Sequence, residues 1–197
     1  LLAARTGQVL NVTAVADAAG IVERTAATYV SLLEAAFVVH EVAPWAPVPT
    51  ARTFRKPKVH ILDSGLAAHL LRLTEAKLAA PTAQALTAFG QVLESFVVSE
   101  LLKEASWLDS VASVGYWRTY DGAEVDFVVE RFDGAILAFE IKAAQRLRDA
   151  DFAGLRTLRE KAGPAFTAGV VLHTGPRCAN PDDRIYAMPI EALWSAR

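Results

Sequence analysis

Asp126, Glu140 and Lys142 are the residues whose types and spacing could do chemistry. In Glu124-Val125-Asp126-Phe127-Val128-Val129, an extended chain puts Val125, Phe127 and Val129 on one face and Glu124, Asp126 and Val128 on the other. In the next apolar run, Leu137, Phe139 and Ile141 make an apolar face and leave Ile136, Ala138, Glu140 and Lys142 opposite. A hairpin whose loop is Arg131 to Ala135 sets Asp126 beside Glu140, with Lys142 on the same face. A slip of one residue would turn the whole set over, and the apolar alternation on both strands argues against it.

Two carboxylates converging with a lysine suit a hard cation. Mg²⁺ takes a few carboxylate oxygens and keeps several waters. It lowers the pKa of a bound water and stabilises charge building on a phosphate oxygen, while a lysine orients that water or screens the phosphate. Glu94, on the helix that precedes these strands, could add a third carboxylate. The competing reading is an exposed face of a half-buried hairpin with ordinary ion pairs. Glu124 and Glu130 read as solvated strand residues.

The elements that must position these residues fall into two segments. In the first, Thr13 can cap a helix over Ala14 to Ala19, Gly20 breaks it, and a longer helix follows from Glu23 to Leu33 with a buried stripe of Ala26, Tyr29, Val30 and Leu33. Phe37 to Val42 and Lys58 to Leu62 read as paired strands around a proline-rich loop, Ala43 to Pro57. Helix, turn, helix, strand, wing and strand is the order of a winged helix. Residues 74–88 read as an alanine-rich connector. A helix from Phe89 to Ala105 follows, with a core stripe of Phe89, Val92, Leu93, Phe96, Val97 and Leu101.

From Val111 the period becomes two. Strands are expected at Tyr116 to Thr119, Glu124 to Glu130, Ile136 to Lys142, Val170 to His173 and Ile185 to Met188. A helix over Asp149 to Ala162 separates the third and fourth, which makes that pair parallel. A short helix through Trp194 closes the chain. The fold class expected is α/β (α+β), with a winged-helix domain at 1–73, a connector at 74–88 and a mixed sheet flanked by helices at 89–197.

Composition bounds the rest. The chain has 197 residues, a formal charge of −2 and 53% hydrophobic residues, much of that fraction alanine. No apolar run is read as a membrane span, because charges interrupt each candidate. One cysteine, Cys178, excludes an internal disulfide and a cysteine-based zinc cluster, and fits a reducing, cytoplasmic setting. His40, His60, His69 and His173 show no metal-ligand spacing and read as surface residues, and the four tryptophans as packing anchors. The net charge offers no global attraction to nucleic acid, so DNA contact needs a local basic patch. Arg24 is the one basic residue on the exposed side of the second helix; Arg52, Arg55, Lys56 and Lys58 of the wing make a better cluster. The first Leu is not Met, which leaves room for the chain to be a fragment.

Gly122-Ala123-Glu124-Val125-Asp126-Phe127-Val128 followed by Glu140-Ile141-Lys142 resembles the metal-site signature of the PD-(D/E)xK superfamily of nucleases and resolvases. Glu94, in Leu93-Glu94-Ser95-Phe96-Val97, matches the helix glutamate that many members place before the paired strands, and Gln145 stands where some have a helper residue. The whole chain further resembles the C-terminal region of bacterial AAA+-type ATPases, a winged helix followed by a nuclease-like domain of unknown function. Leu1 to Gly7, Tyr29 to Glu34, Pro57 to Leu66, Tyr116 to Thr119, Gly169 to Gly175 and Pro189 to Trp194 carry that likeness. It implies a restriction-endonuclease-like sheet, with Asp126 and Glu140 binding Mg²⁺ or Mn²⁺, Lys142 positioning water and Glu94 assisting. It also implies DNA and the preceding ATPase module as partners. No Gly-x-x-x-x-Gly-Lys-Ser/Thr loop is present, so ATP would act only through that absent module. The function expected is a DNA-associated module with a Mg²⁺-dependent phosphodiester-cleaving site. The alternative is a non-catalytic regulatory or docking module that binds DNA or protein and controls the ATPase. A plain transcription factor is disfavoured by the weakly basic second helix.

Overall fold

Asn11 starts the first long element: its side-chain oxygen accepts from the Ala14 amide at 3.1 Å and caps α1, Val12–Ala19. Thr13, the cap expected from sequence, lies inside the helix and donates its hydroxyl to Glu23 instead. Gly20, left-handed at φ 66°, ends α1, and α2 runs over Glu23–Ala35. In a computed structural model, the structure describes residues 1–46 and 55–195. These form two units, one made of Leu1–Ala43 with Arg55–Ser99, the other of the remaining described residues.

In the first unit a single 3₁₀ turn, Leu2–Arg5, leads to β1, Gln8–Val9. After the two helices come β2, Val39–Val42, and β3, Lys58–Ile61. The three strands form an antiparallel sheet in the order β1-β3-β2. β1 is too short to carry an alternation, so its sequence does not announce a strand. Helices α3, Ser64–Leu70, and α4, Glu75–Ala79, precede α5, Ala83–Ser106, of which the residues up to Ser99 belong to this unit. The stretch read as a connector is thus largely helical, and α5 starts a turn and a half before Phe89.

Leu10, Val15, Val30, Val39, Val59, Ile61, Ala67 and Val92 gather into the core of this unit. Ala26 and Val30 of α2 are buried as their spacing predicts, but Tyr29 is 54% exposed. On α5 the buried positions include Val92, Ser95, Val97, Val98 and Ser99, while Phe89, Leu93 and Phe96 are only partly covered. This helix is long and apolar enough, by length and composition, to cross a membrane, which corrects the reading that no run qualifies. Of its most apolar 18-residue window, 39% is buried within the protein.

The second unit holds a six-stranded mixed sheet. Its strands are β4, Val111–Arg118; β5, Glu124–Arg131; β6, Ile136–Lys142; β7, Phe166–His173; β8, Ala179–Asp182; and β9, Ile185–Pro189. They stand in the order β4-β5-β6-β7-β9-β8. β6, β7 and β9 are mutually parallel and the other pairings antiparallel, so the strand–helix–strand reading of β6 and β7 holds. A 3₁₀ turn, Asp149–Phe152, and α6, Ala153–Ala162, make the crossover; α7, Ala192–Ser195, ends the unit. Overall the chain is mixed α/β, with seven α-helices among the described residues.

Two details of the core differ from the alternation read in sequence. Ile136 and Ala138 join Leu155 and Leu158 of α6 in the buried cluster, whereas Leu137 and Phe139 are half-covered. The face of β6 that carries Glu140 is therefore the more deeply packed one. Val125 and Val128, placed on opposite faces by strict parity, both belong to that cluster. The reason is an extra residue in β5: Gly115 faces Val128 and Trp117 faces Val125, so Tyr116 alone spans Asp126 and Phe127.

Candidate functional site

The irregularity in β5 falls on Asp126. The backbone ladder between β5 and β6 pairs Glu130 with Ile136, Val129 with Leu137, Val128 with Ala138 and Phe127 with Phe139. This is the register expected with Arg131 to Ala135 as the loop. Beyond Phe127 the side chain of Asp126 takes over from the backbone: Asp126 Oδ2 accepts from the Ile141 amide at 2.9 Å. An extra residue turns the chain locally and re-aims a side chain, and here it turns a carboxylate toward the neighbouring strand.

Glu140 precedes Ile141, and its Oε1 accepts from Lys142 Nζ at 2.7 Å. Asp126 and Glu140 are 7% and 9% exposed, low values for carboxylates. Burial by itself works to lower the pKa of Lys142. The charge of Glu140 and its hydrogen bond outweigh that, Asp126 and Asp151 add to them, and the ammonium is held above the ordinary lysine range. The structure brings Asp126, Glu140 and Lys142 together around the Glu140-Ile141-Lys142 segment.

The donor set fits a hard cation of modest demand. Two carboxylates are the protein share that Mg²⁺ commonly takes, the remaining positions being water. Among the described residues no three of His, Cys, Asp and Glu gather as a metal cluster. Glu94, expected as a third carboxylate, belongs to the first unit. There its Oε1 accepts from Lys58 Nζ at 2.9 Å, and its carboxylate lies against Gly7. A Cβ on Gly7 would stand 3.0 Å from Glu94 Oε2, and the glycine also adopts φ +73°, which disfavours any side chain.

The basic residues expected to meet DNA separate. Lys58 is buried in β3 and paired with Glu94, a correction to its reading as an exposed wing cation. Arg24, Arg55 and Lys56 are exposed. Arg52 lies outside the described residues.

Several polar residues are more deeply engaged than their local sequence suggests. His60 is fully buried, with Nδ1 3.1 Å from Ser95 Oγ; that hydroxyl is 2.7 Å from Thr6 Oγ1, which accepts from the Ile61 amide. His173 is also buried, at the end of β7 where it pairs with Lys142. Glu130 accepts from Trp45 Nε1 at 2.7 Å and Ser113 Oγ at 2.9 Å, and Glu124 pairs with Arg118 at 3.0 Å. Trp45 and Trp117 are packed as expected, but Trp107 and Trp194 are exposed. No local spacing marks His60, Ser95 or His173, since their partners are distant in sequence or backbone atoms.

Residues 89–193, which include this whole constellation, match the family described as a domain of unknown function, DUF4143. The chain belongs to the DUF4143 family. Ahead of the DUF4143 region, residues 1–77 match a second domain of unknown function, DUF8612. Two curated relatives, uncharacterized protein Rv2008c of Mycobacterium tuberculosis and uncharacterized protein Mb2031c of Mycobacterium bovis, are each 33% identical over 142 residues. The aligned part covers 72% of this chain and 30% of each relative. No solved structure matches.

Proposed function

We propose that this DUF4143 protein is the DNA-associated C-terminal module of an AAA+-type ATPase, with a PD-(D/E)xK-type phosphodiester-cleaving site in its second unit. The observation that carries the reading is the Asp126 carboxylate, turned out of the ladder onto the Ile141 amide beside the Glu140–Lys142 pair. A buried carboxylate held on a neighbouring strand's amide, beside a second carboxylate and a lysine, has the donor chemistry of a Mg²⁺ or Mn²⁺ site. DUF4143 is commonly found at the C-terminus of AAA-type ATPases, and the curated relatives are much longer than this chain. Both facts support the ATPase context, in which ATP acts only through the other module. The lone cysteine supports a cytoplasmic setting.

In this reading Asp126 and Glu140 hold the cation. When bound, the ion supplies a water of lowered pKa and stabilises charge on a phosphate oxygen. Asp126 is oriented by the Ile141 amide, so its geometry is fixed before substrate arrives. Lys142 stays protonated, offers its ammonium to the scissile phosphate or the attacking water, and in the resting site neutralises Glu140. On this reading the second unit is a nuclease-like fold, and the helix pair and three-stranded antiparallel sheet of the first support its reading as a winged helix.

A docking role without cleavage is the second reading, and α2 favours it for the first unit. Tyr29 and Leu32 on that helix, and Val22 at its start, are 54%, 59% and 69% exposed, more apolar surface than a groove-reading helix needs. The deciding experiment incubates the protein with linear, nicked and branched DNA and Mg²⁺ or Mn²⁺. Cleavage lost in Asp126→Ala and Glu140→Ala is expected; cleavage that survives both removes this site from the mechanism, and no cleavage by the parent protein leaves the docking reading.

A further inference from the structure

We propose that the loops leaving β6 and β7 form a preorganised rim that binds the phosphate backbone of duplex DNA, with Arg146, Arg148 and Arg177 as its cations. The proposal rests on the nuclease-like reading for its choice of DNA, but not on cleavage. Because β6 and β7 are parallel and Lys142 stands opposite His173, both loops leave the same edge of the sheet. That is the carboxyl edge, where ligands of open sheets with parallel strands bind. Residues 143–148 and 174–178 together contain these three arginines and no acidic residue, in a chain of net charge −2. All three are exposed, and among the described residues none forms an ion pair. The nearest acids in sequence are engaged: Asp149 by Arg156 at 2.7 Å, and Asp151 by the Arg148 amide at 2.7 Å.

The two loops are fastened to each other. The Thr174 amide donates to Ala144 O at 3.2 Å. A Cβ on Gly175 would lie 2.2 Å from Gln145 O and 2.9 Å from His173 Nδ1, so only glycine admits this approach. His173 locks the second loop. The Gly175 amide donates to Nδ1 at 3.0 Å, which leaves the ring proton on Nε2, and Nε2 donates to Arg177 O at 3.1 Å. A buried ring holding the backbone of an exposed arginine removes much of the ordering cost of binding. Cations distributed over two fixed loops suit the regular charge spacing of a nucleic-acid backbone.

The test is fluorescence anisotropy of the full chain with a labelled duplex in EDTA, over salt from about 50 to 200 mM. EDTA keeps binding separate from hydrolysis: DNA bound but never cleaved with metal retains the rim and sinks the nuclease. The parent protein is expected to bind with a steep salt dependence. Arg146→Ala with Arg177→Ala should weaken binding about tenfold and reduce the salt slope by about 2, near 0.9 for each lost phosphate contact. Arg131→Ala, in the β5–β6 hairpin, should leave both unchanged. If the double alanine variant melts early, Arg146→Lys with Arg177→Lys keeps the charges and must restore the slope. No binding by the parent protein at low salt, or an unaltered slope in the double alanine variant, overturns the proposal.

Discussion

The Asp126 carboxylate accepts a 2.9 Å hydrogen bond from the Ile141 amide at the place where β5 sets two residues against one of β4. The side chain does what the next rung of the ladder would have done. Asp126 therefore has two separable properties: an oxygen that satisfies a buried amide, and a negative charge beside Glu140 and Lys142.

Substitutions at this position should pull those properties apart. In Asp126→Asn the amide oxygen can still accept from Ile141, so the melting temperature should stay close to that of the parent while metal-dependent cleavage is lost. Asp126→Ala leaves the Ile141 amide without that acceptor and should cost about 1–3 kcal/mol as well. Urea unfolding beside a cleavage assay reads both. Equal destabilisation by Asn and Ala would mean that the hydrogen bond is not what the carboxylate contributes.

How much of this was legible in sequence follows from how local each feature is. The β5–β6 register was legible because the loop length and two alternating strands fix it, and the parallel β6–β7 pair because a helix lies between them. The extra residue at Asp126 was not, since it depends on pairing with β4, and nothing in β5 itself marks it. The same holds for the packed side of β6, because Leu137, Phe139 and Ile141 look more apolar than Ile136 and Ala138 until α6 is placed. Lys58 read as a wing cation because its partner, Glu94, is distant in sequence. Thr13 and Asn11 are both good caps, and composition does not choose between them.

Asp182 gives an acid-side prediction independent of the candidate site. Hydrogen bonds from Arg159 and then Arg156, with the Asp183 amide behind them, lower its pKa from 3.8 to about 2. These contacts tie β8 to α6 at 2.8 Å and 3.0 Å. A depressed folded-state pKa gives stability that is present above the unfolded value and lost as pH falls through the folded one. Unfolding free energy should therefore decline between pH 3.8 and about 2, and Asp182→Asn should flatten that decline while lowering stability at neutral pH. Urea titrations across that range would check it; an unchanged acid slope in the variant would discount the tie.

Lys142 predicts the opposite arm. Burial opposes its charge, yet Glu140 first, then Asp126 and Asp151, raise its pKa above the ordinary value of 10.5. A raised folded-state pKa contributes stability that is complete below the unfolded value and disappears as pH climbs through the folded one, because the folded state then holds the proton that the unfolded state has released. Other lysines and tyrosines titrate in the same alkaline window, so the informative quantity is a difference. Glu140→Gln removes the charge that raises Lys142 most and should shrink the stability lost above pH 10.5, while lowering stability at neutral pH because the Lys142 ammonium loses its paired carboxylate. Denaturant unfolding of both proteins through that range measures the difference directly. Parallel alkaline curves would show that Glu140 does not hold the Lys142 proton, and would remove the ion pair from any account of how the site rests before a cation binds.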